Sequence, residues 1–159
     1  DKVMFVVSPQ NPLKKKQSLL DQHQRLMIIR MEIEGNPKLQ VSDIEFSMPQ
    51  PSYTIDTLVR LKEKNPEIEY ALIMGADNLQ NFHKWKNYQK ILEGYSIYVF
   101  PRPGFEINRI HKNIHIVKDV PQMEISATFI RNSIKGGKDV SCLMPKKAWK
   151  YTNEMNLYR

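Results

Sequence analysis

The chain has 159 residues, 41% apolar and 26% charged, which suits one globular domain over 1–159 with a real core. No apolar run approaches the ~18 residues needed to cross a bilayer, the apolar stretch at 3–7 is too short for a signal peptide, and the single cysteine, Cys142, offers neither an internal disulfide nor a metal-ligand spacing; the expectation is a cytoplasmic protein without membrane contact. The net charge of +7 points to an anionic partner, nucleic acid or a phosphorylated small molecule, unless the lysines simply form a solvated surface.

Residues 3–7 read as a fully buried strand, a continuous β-rich run ended by Ser8-Pro9. A loop with Pro9, Asn11 and Pro12 follows, carrying Lys14, Lys15 and Lys16 where a doubly wound fold places ligand loops. The spacing predicts a helix over 18–34, with Ser18 and Asp21 near its start and Gly35 beyond its end. A half-exposed strand over 39–46 and a proline-containing loop precede a helix over 54–64, with Ile55, Leu58, Val59 and Leu61 inward. A strand over 69–74, the turn Gly75-Ala76-Asp77, a helix over 85–93 and a strand over 96–100 come next. The turn Pro101-Arg102-Pro103-Gly104, a short strand over 114–117, a helix over 126–135 and a last helix opened by Pro145 complete the chain. Strands alternating with helices imply an α/β fold, a Rossmann-like doubly wound parallel sheet.

The stretch Ile125-Ser126-Ala127-Thr128-Phe129-Ile130-Arg131 is the most informative. Two hydroxyl residues stand at a helix start, where free amides and the helix dipole favour an anion. Arg131 falls three residues after Thr128, on the same side of the first turns. Such a constellation could hold a polyphosphate, or it could be an ordinary N-cap with a surface arginine. His23, His83, His111 and His115 form no His-x-x-His pattern, and the spacing of His111 and His115 falls on loop and strand rather than on one helix face, so no metal site is expected. Neither Ser126 nor Cys142 has a sequence-visible base, which argues against a covalent nucleophile.

That stretch resembles the Ile-Ser-Ser-Thr-x-Ile-Arg signature of nucleotidyltransferases that make dinucleotide cofactors, with Ala127 in place of the middle serine. Ser52-Tyr53-Thr54-Ile55-Asp56-Thr57-Leu58 resembles the Tyr-Thr-x-Asp-Thr-Leu segment of the nicotinate-nucleotide branch, and Gly75-Ala76-Asp77-Asn78-Leu79 with Phe82 and Trp85 resembles its Gly-x-Asp-x-Leu…Phe…Trp segment. Ser8-Pro9-Gln10-Asn11-Pro12-Leu13-Lys14, Val99-Phe100-Pro101-Arg102-Pro103-Gly104 and Leu157-Tyr158 are similar to further stretches of the same branch, in the same order along the chain. The resemblance to bacterial nicotinate-nucleotide adenylyltransferases implies the nucleotidyltransferase fold. It also implies transfer of the adenylyl group of ATP to nicotinate mononucleotide in NAD biosynthesis, with Mg²⁺ accompanying ATP.

By the same resemblance, Ser126, Thr128 and Arg131 would bind the ATP phosphates, with Arg131 aiding catalysis, and Gly75 and Asp77 would meet the ribose. Trp85 would stack on the pyridine ring. Thr54 and the backbone near Trp85 and Lys86 would hold the nicotinate carboxylate, with Tyr53 closing the pocket. Lys14 and Arg102 would meet the mononucleotide phosphate or loop, and Arg25 is a weaker candidate. The family's opening Gly-x-Phe-x-Pro-x-His-x-Gly-His segment, with its catalytic histidines, does not occur in these residues. The expectation is a chain truncated before Asp1, without its central first strand and inactive as it stands. Alternatives are an adenylyltransferase for nicotinamide mononucleotide or phosphopantetheine, a non-catalytic nucleotide-binding remnant, or a nucleic-acid module; the last lacks aromatic interleaving among its basic residues. A homo-oligomer is compatible with all of these.

Overall fold

The computed structural model describes residues 1–10, 20–107 and 111–159. It contains five strands, β1 (Val3–Val6), β2 (Leu39–Ser42), β3 (Ala71–Gly75), β4 (Ser96–Phe100) and β5 (Ile114–Ile116), among the described residues. The helices are α1 (Gln22–Ile33), α2 (Thr54–Lys64), α3 (Ala76–Gln80), α4 (Tyr88–Gly94), α5 (Ala127–Lys135) and α6 (Lys146–Glu154). All strand pairing within the named strands is parallel, as the alternation of strands and helices predicts. The chain forms two compact units, one of Asp1–Pro51 with Ile125–Arg159 and one of Ser52–Glu124.

In the first unit β1 pairs with β2, Val3 opposite Leu39 and Val6 opposite Ser42. The expectation of a fully buried strand is corrected here. Val3 is 38% and Phe5 42% exposed, and the buried residue is Val7, just past the strand. Full burial of a parallel strand needs cover on both faces, and among the described residues β1 pairs with β2 alone. Asp21 caps α1 by accepting the amide of His23 at 2.8 Å. The start of that predicted helix, including Ser18, lies outside the described residues. Glu32 Oε2 accepts the Ala148 amide at 3.0 Å, and Lys147 meets Glu34 at 3.1 Å, tying α1 to the start of α6. Pro145 stands as the N-cap of α6 rather than its first residue.

In the second unit the order is β3–β4–β5, with Ala71 opposite Ser96 and Gly75 opposite Phe100. One face of this sheet carries Met74, Ile97, Val99 and Ile114, which pack with Ile55 and Leu58 of α2, Ile91 of α4 and Phe82. Burying each such side chain stabilises by roughly 1.5–3 kcal/mol. Ile73, Tyr98 and Phe100 alternate onto the other face and stay exposed. In α2 the buried residues are Ile55, Thr57, Leu58 and Leu61, while Val59, expected inward, is 44% exposed. At roughly 100° per residue, 57, 61, 58 and 55 sweep one arc and 59 falls just past its edge. The helix expected from Trp85 begins instead at Tyr88. Trp85 is extended, at φ −77° and ψ 144°, and Asn87 is left-handed, at φ 50°. Asparagine tolerates that conformation better than most residues, and it breaks the helical run.

Candidate active site

Within the second unit, the in-register pairing of Gly75 with Phe100 makes the turns after β3 and β4 leave the sheet side by side. This carboxyl edge is where open α/β sheets bind ligands. Asp77 follows Gly75, and Arg102 follows Pro101. Arg102 Nη1 donates to Asp77 Oδ2 at 3.2 Å, so the structure brings these two expected site residues together. Asp77 Oδ1 is buried and has no hydrogen-bond partner among the described residues. Gly75 makes the arrangement possible. A Cβ there would press into Asp77 Oδ1 and lie 3.0 Å from Arg102 Cδ.

A second cluster of this unit gathers around the start of α2. Tyr53 is the extended N-cap residue and Thr54 the first helical one. Lys86 Nζ donates to Asp56 Oδ2 at 2.8 Å and sits 4.8 Å from the centroid of the Tyr53 ring, a cation–π arrangement. Through that lysine the segment carrying Trp85 is tied to α2, with Tyr53 and Asp56 as its anchors. Trp85 is half-buried, its ring edge-to-face with buried Phe82 at 5.4 Å between centroids. It is therefore partly packed and partly exposed. Asp56 stands inside the motif at 52–58, but its role was not legible in sequence because its partner lies thirty positions away.

In the first unit Ser126 is the N-cap of α5, its Oγ accepting the Phe129 amide at 3.1 Å. The hydroxyl proton remains available as a donor, so capping and anion contact are compatible. Ser126 and Thr128 are exposed, and Arg131, half-buried, donates through Nη2 to Thr128 Oγ1 at 3.3 Å. Burial raises the Tyr158 hydroxyl pKa above its ordinary value, while the nearby charges of Arg131 and Arg25 pull it down. In sequence Tyr158 stands only as part of the Leu157-Tyr158 ending. Its proximity to two arginines comes from the fold. Arg25 donates to the carbonyls of Leu20 and Pro9 at 3.0 and 3.3 Å, joining the chain on either side of 11–19. Burial lowers its pKa, with Asp21 and Tyr158 opposing. Lys14 lies outside the described residues. His111 and His115 have local roles: Nδ1 of the first accepts the Asn113 amide at 3.2 Å, and the second stacks on Tyr98 at 5.1 Å.

Residues 1–133 match the cytidylyltransferase-like family. The probable nicotinate-nucleotide adenylyltransferase of Flavobacterium johnsoniae is 51% identical over 163 aligned positions, covering 100% of this chain and 84% of that protein. That of Flavobacterium psychrophilum is 50% identical with the same coverage of both chains. Among solved structures, the Plasmodium falciparum nicotinic acid mononucleotide adenylyltransferase complexed with NaAD superposes with a TM-score of 0.81 at 19% identity, over 99% of this chain and 82% of that one. At that identity the structural likeness speaks for the fold.

Proposed function

This chain belongs to the nicotinate-nucleotide adenylyltransferases, within the cytidylyltransferase-like family, and we propose that the side chains around α2, the β3–β4 edge and α5 bind the two substrates of that activity. The reaction joins the adenylyl group of ATP to nicotinate mononucleotide, giving nicotinate adenine dinucleotide and pyrophosphate in NAD biosynthesis. ATP enters as its metal complex, proposed here to be Mg²⁺, held chiefly through phosphate oxygens and water. The proposed compartment is the cytoplasm, in keeping with a lone free thiol, Cys142.

The observation that carries the residue assignment is the Tyr53–Lys86–Asp56 cluster, because it ties the segment bearing Trp85 to the start of α2, where Thr54 stands. The pyridine ring stacks on Trp85. Its carboxylate is held by Thr54 and by backbone amides near Trp85 and Lys86, beside the Lys86 ammonium. Asp77 accepts from ribose hydroxyls next to Gly75, whose bare α-carbon leaves room for the Asp77 and Arg102 side chains. Ser126, Thr128 and Arg131 hold the polyphosphate at the start of α5. A mononucleotide phosphate oxygen attacks the α-phosphorus of ATP, and the bond to the bridging oxygen of pyrophosphate breaks. Charge grows on the departing group, where Arg131 is most useful. The protein positions and stabilises, and no covalent intermediate forms.

The test is dinucleotide formation by the chain completed with the family's Gly-x-Phe-x-Pro-x-His-x-Gly-His segment, with nicotinate mononucleotide, nicotinamide mononucleotide and phosphopantetheine offered in turn. The first should give the highest kcat/KM. Equal or faster adenylylation of phosphopantetheine would overturn the substrate assignment.

A further inference from the structure

We infer that Arg102 acts on the adenosine side of the site as a positioning residue for Asp77, and does not bind the mononucleotide phosphate. The inference rests on the reading of Asp77 as a ribose acceptor.

Three observations converge within the Ser52–Glu124 unit. The Arg102 guanidinium holds Asp77 Oδ2 at 3.2 Å. The other carboxylate oxygen, Oδ1, is buried without a hydrogen-bond partner among the described residues. Both side chains lie against Gly75, where a Cβ would displace them. A buried acceptor left without a donor is costly, and native structures rarely keep one unless a ligand or water completes it. Oδ1 therefore behaves as a reserved acceptor. A ribose hydroxyl supplies the missing O–H donor; a phosphate cannot, since it brings further negative charge to a carboxylate.

The backbone around Arg102 is built to hold this geometry. Prolines flank it at 101 and 103, Gly104 takes φ +79°, and the Phe105 amide donates to the Arg102 carbonyl at 3.1 Å. Proline fixes its own φ and restricts the residue before it, so the turn holds the direction in which the Arg102 side chain leaves the backbone. That side chain is spent on Asp77 and fixes how its carboxylate is turned.

The experiment measures equilibrium binding of ATP, 2′-deoxy-ATP and 3′-deoxy-ATP, and separately of nicotinate mononucleotide, to the full chain and its variants. The unaltered protein should bind ATP about tenfold or more tightly than at least one deoxy analogue, the expected scale for a hydroxyl bonded to a charged acceptor. Arg102→Ala should abolish that preference as fully as Asp77→Ala does, while mononucleotide affinity stays within about twofold. Gly75→Ala, which displaces the carboxylate and keeps every charge, should do the same. Arg102→Lys should restore part of the preference, and it serves as the readout if the alanine variant does not fold. A retained preference in Arg102→Ala, or weakened mononucleotide binding with ATP binding unchanged, overturns the inference. If the unaltered protein or Asp77→Ala shows no change of preference, the ribose assignment of Asp77 fails and the inference with it. Dinucleotide formation judges the overall activity independently of either result.

Discussion

Arg131 and Arg102 are the two arginines given roles in the proposed function, and they are held in opposite ways. Arg131 bonds a neutral hydroxyl, Thr128 Oγ1, on its own helix. Arg102 bonds a carboxylate, Asp77, across from an adjacent strand end. A guanidinium on a hydroxyl keeps its full charge for an incoming anion, whereas one on a carboxylate is largely neutralised and serves to fix the carboxylate. Counting arginines in a sequence does not reveal which of them remain electrostatically available; their partners do.

The largest effect expected from this contrast belongs to Arg131. Arg131→Ala should lower kcat by about 100-fold or more, the scale of losing one preorganised charge donor, with Arg131→Lys falling in between. Steady-state kinetics with both substrates varied would check it, and an unchanged kcat would erase the distinction between the two arginines. Trp85→Ala should weaken nicotinate mononucleotide binding by about 1–3 kcal/mol, by analogy with base stacking, and leave ATP binding alone. Calorimetry on the folded variant decides it, since equal loss for both ligands would make Trp85 a packing residue. Ser126→Ala should cost about 1 kcal/mol in denaturant unfolding through the lost cap. If ATP raises the midpoint of the variant as much as that of the parent, Ser126 is a cap alone. The smallest effect is expected at the half-exposed Lys86–Asp56 pair, where a double-mutant cycle with Lys86→Met and Asp56→Asn should give a stability coupling of about 0.2–1 kcal/mol. A much larger coupling in mononucleotide affinity would sharpen the contrast by placing Lys86 with Arg102, as a charge that acts through its carboxylate partner.

The elements legible in advance were those set by local pattern. Helix α2 (Thr54–Lys64) and strand β4 (Ser96–Phe100) match their predicted bounds, because periodicity and the following Asn65 and Pro101 act within a few residues. Ser126 as the N-cap of α5 was equally readable. Position 85 was not, since the left-handed turn at Asn87 interrupts a stretch whose composition suits a helix. Exposure of Val3 and Phe5 was hidden because apolar composition does not say how many neighbours a strand has. The motifs single out candidate site residues, but partner choice is a matter of the fold. The pairings of Arg102 with Asp77 and of Lys86 with Asp56 span 25 and 30 positions, far beyond any local rule.

The bare α-carbon of Gly75 also constrains how such a chain can change over generations. A single nucleotide substitution introducing any side chain at 75 would push against both Asp77 and Arg102 at once. Such a change acts as a lesion in residues it does not alter. What 75 tolerates is therefore set by 77 and 102, even though the three lie on two separate turns. A mutational survey would record a glycine intolerant of alanine, and the reason would be found in its neighbours.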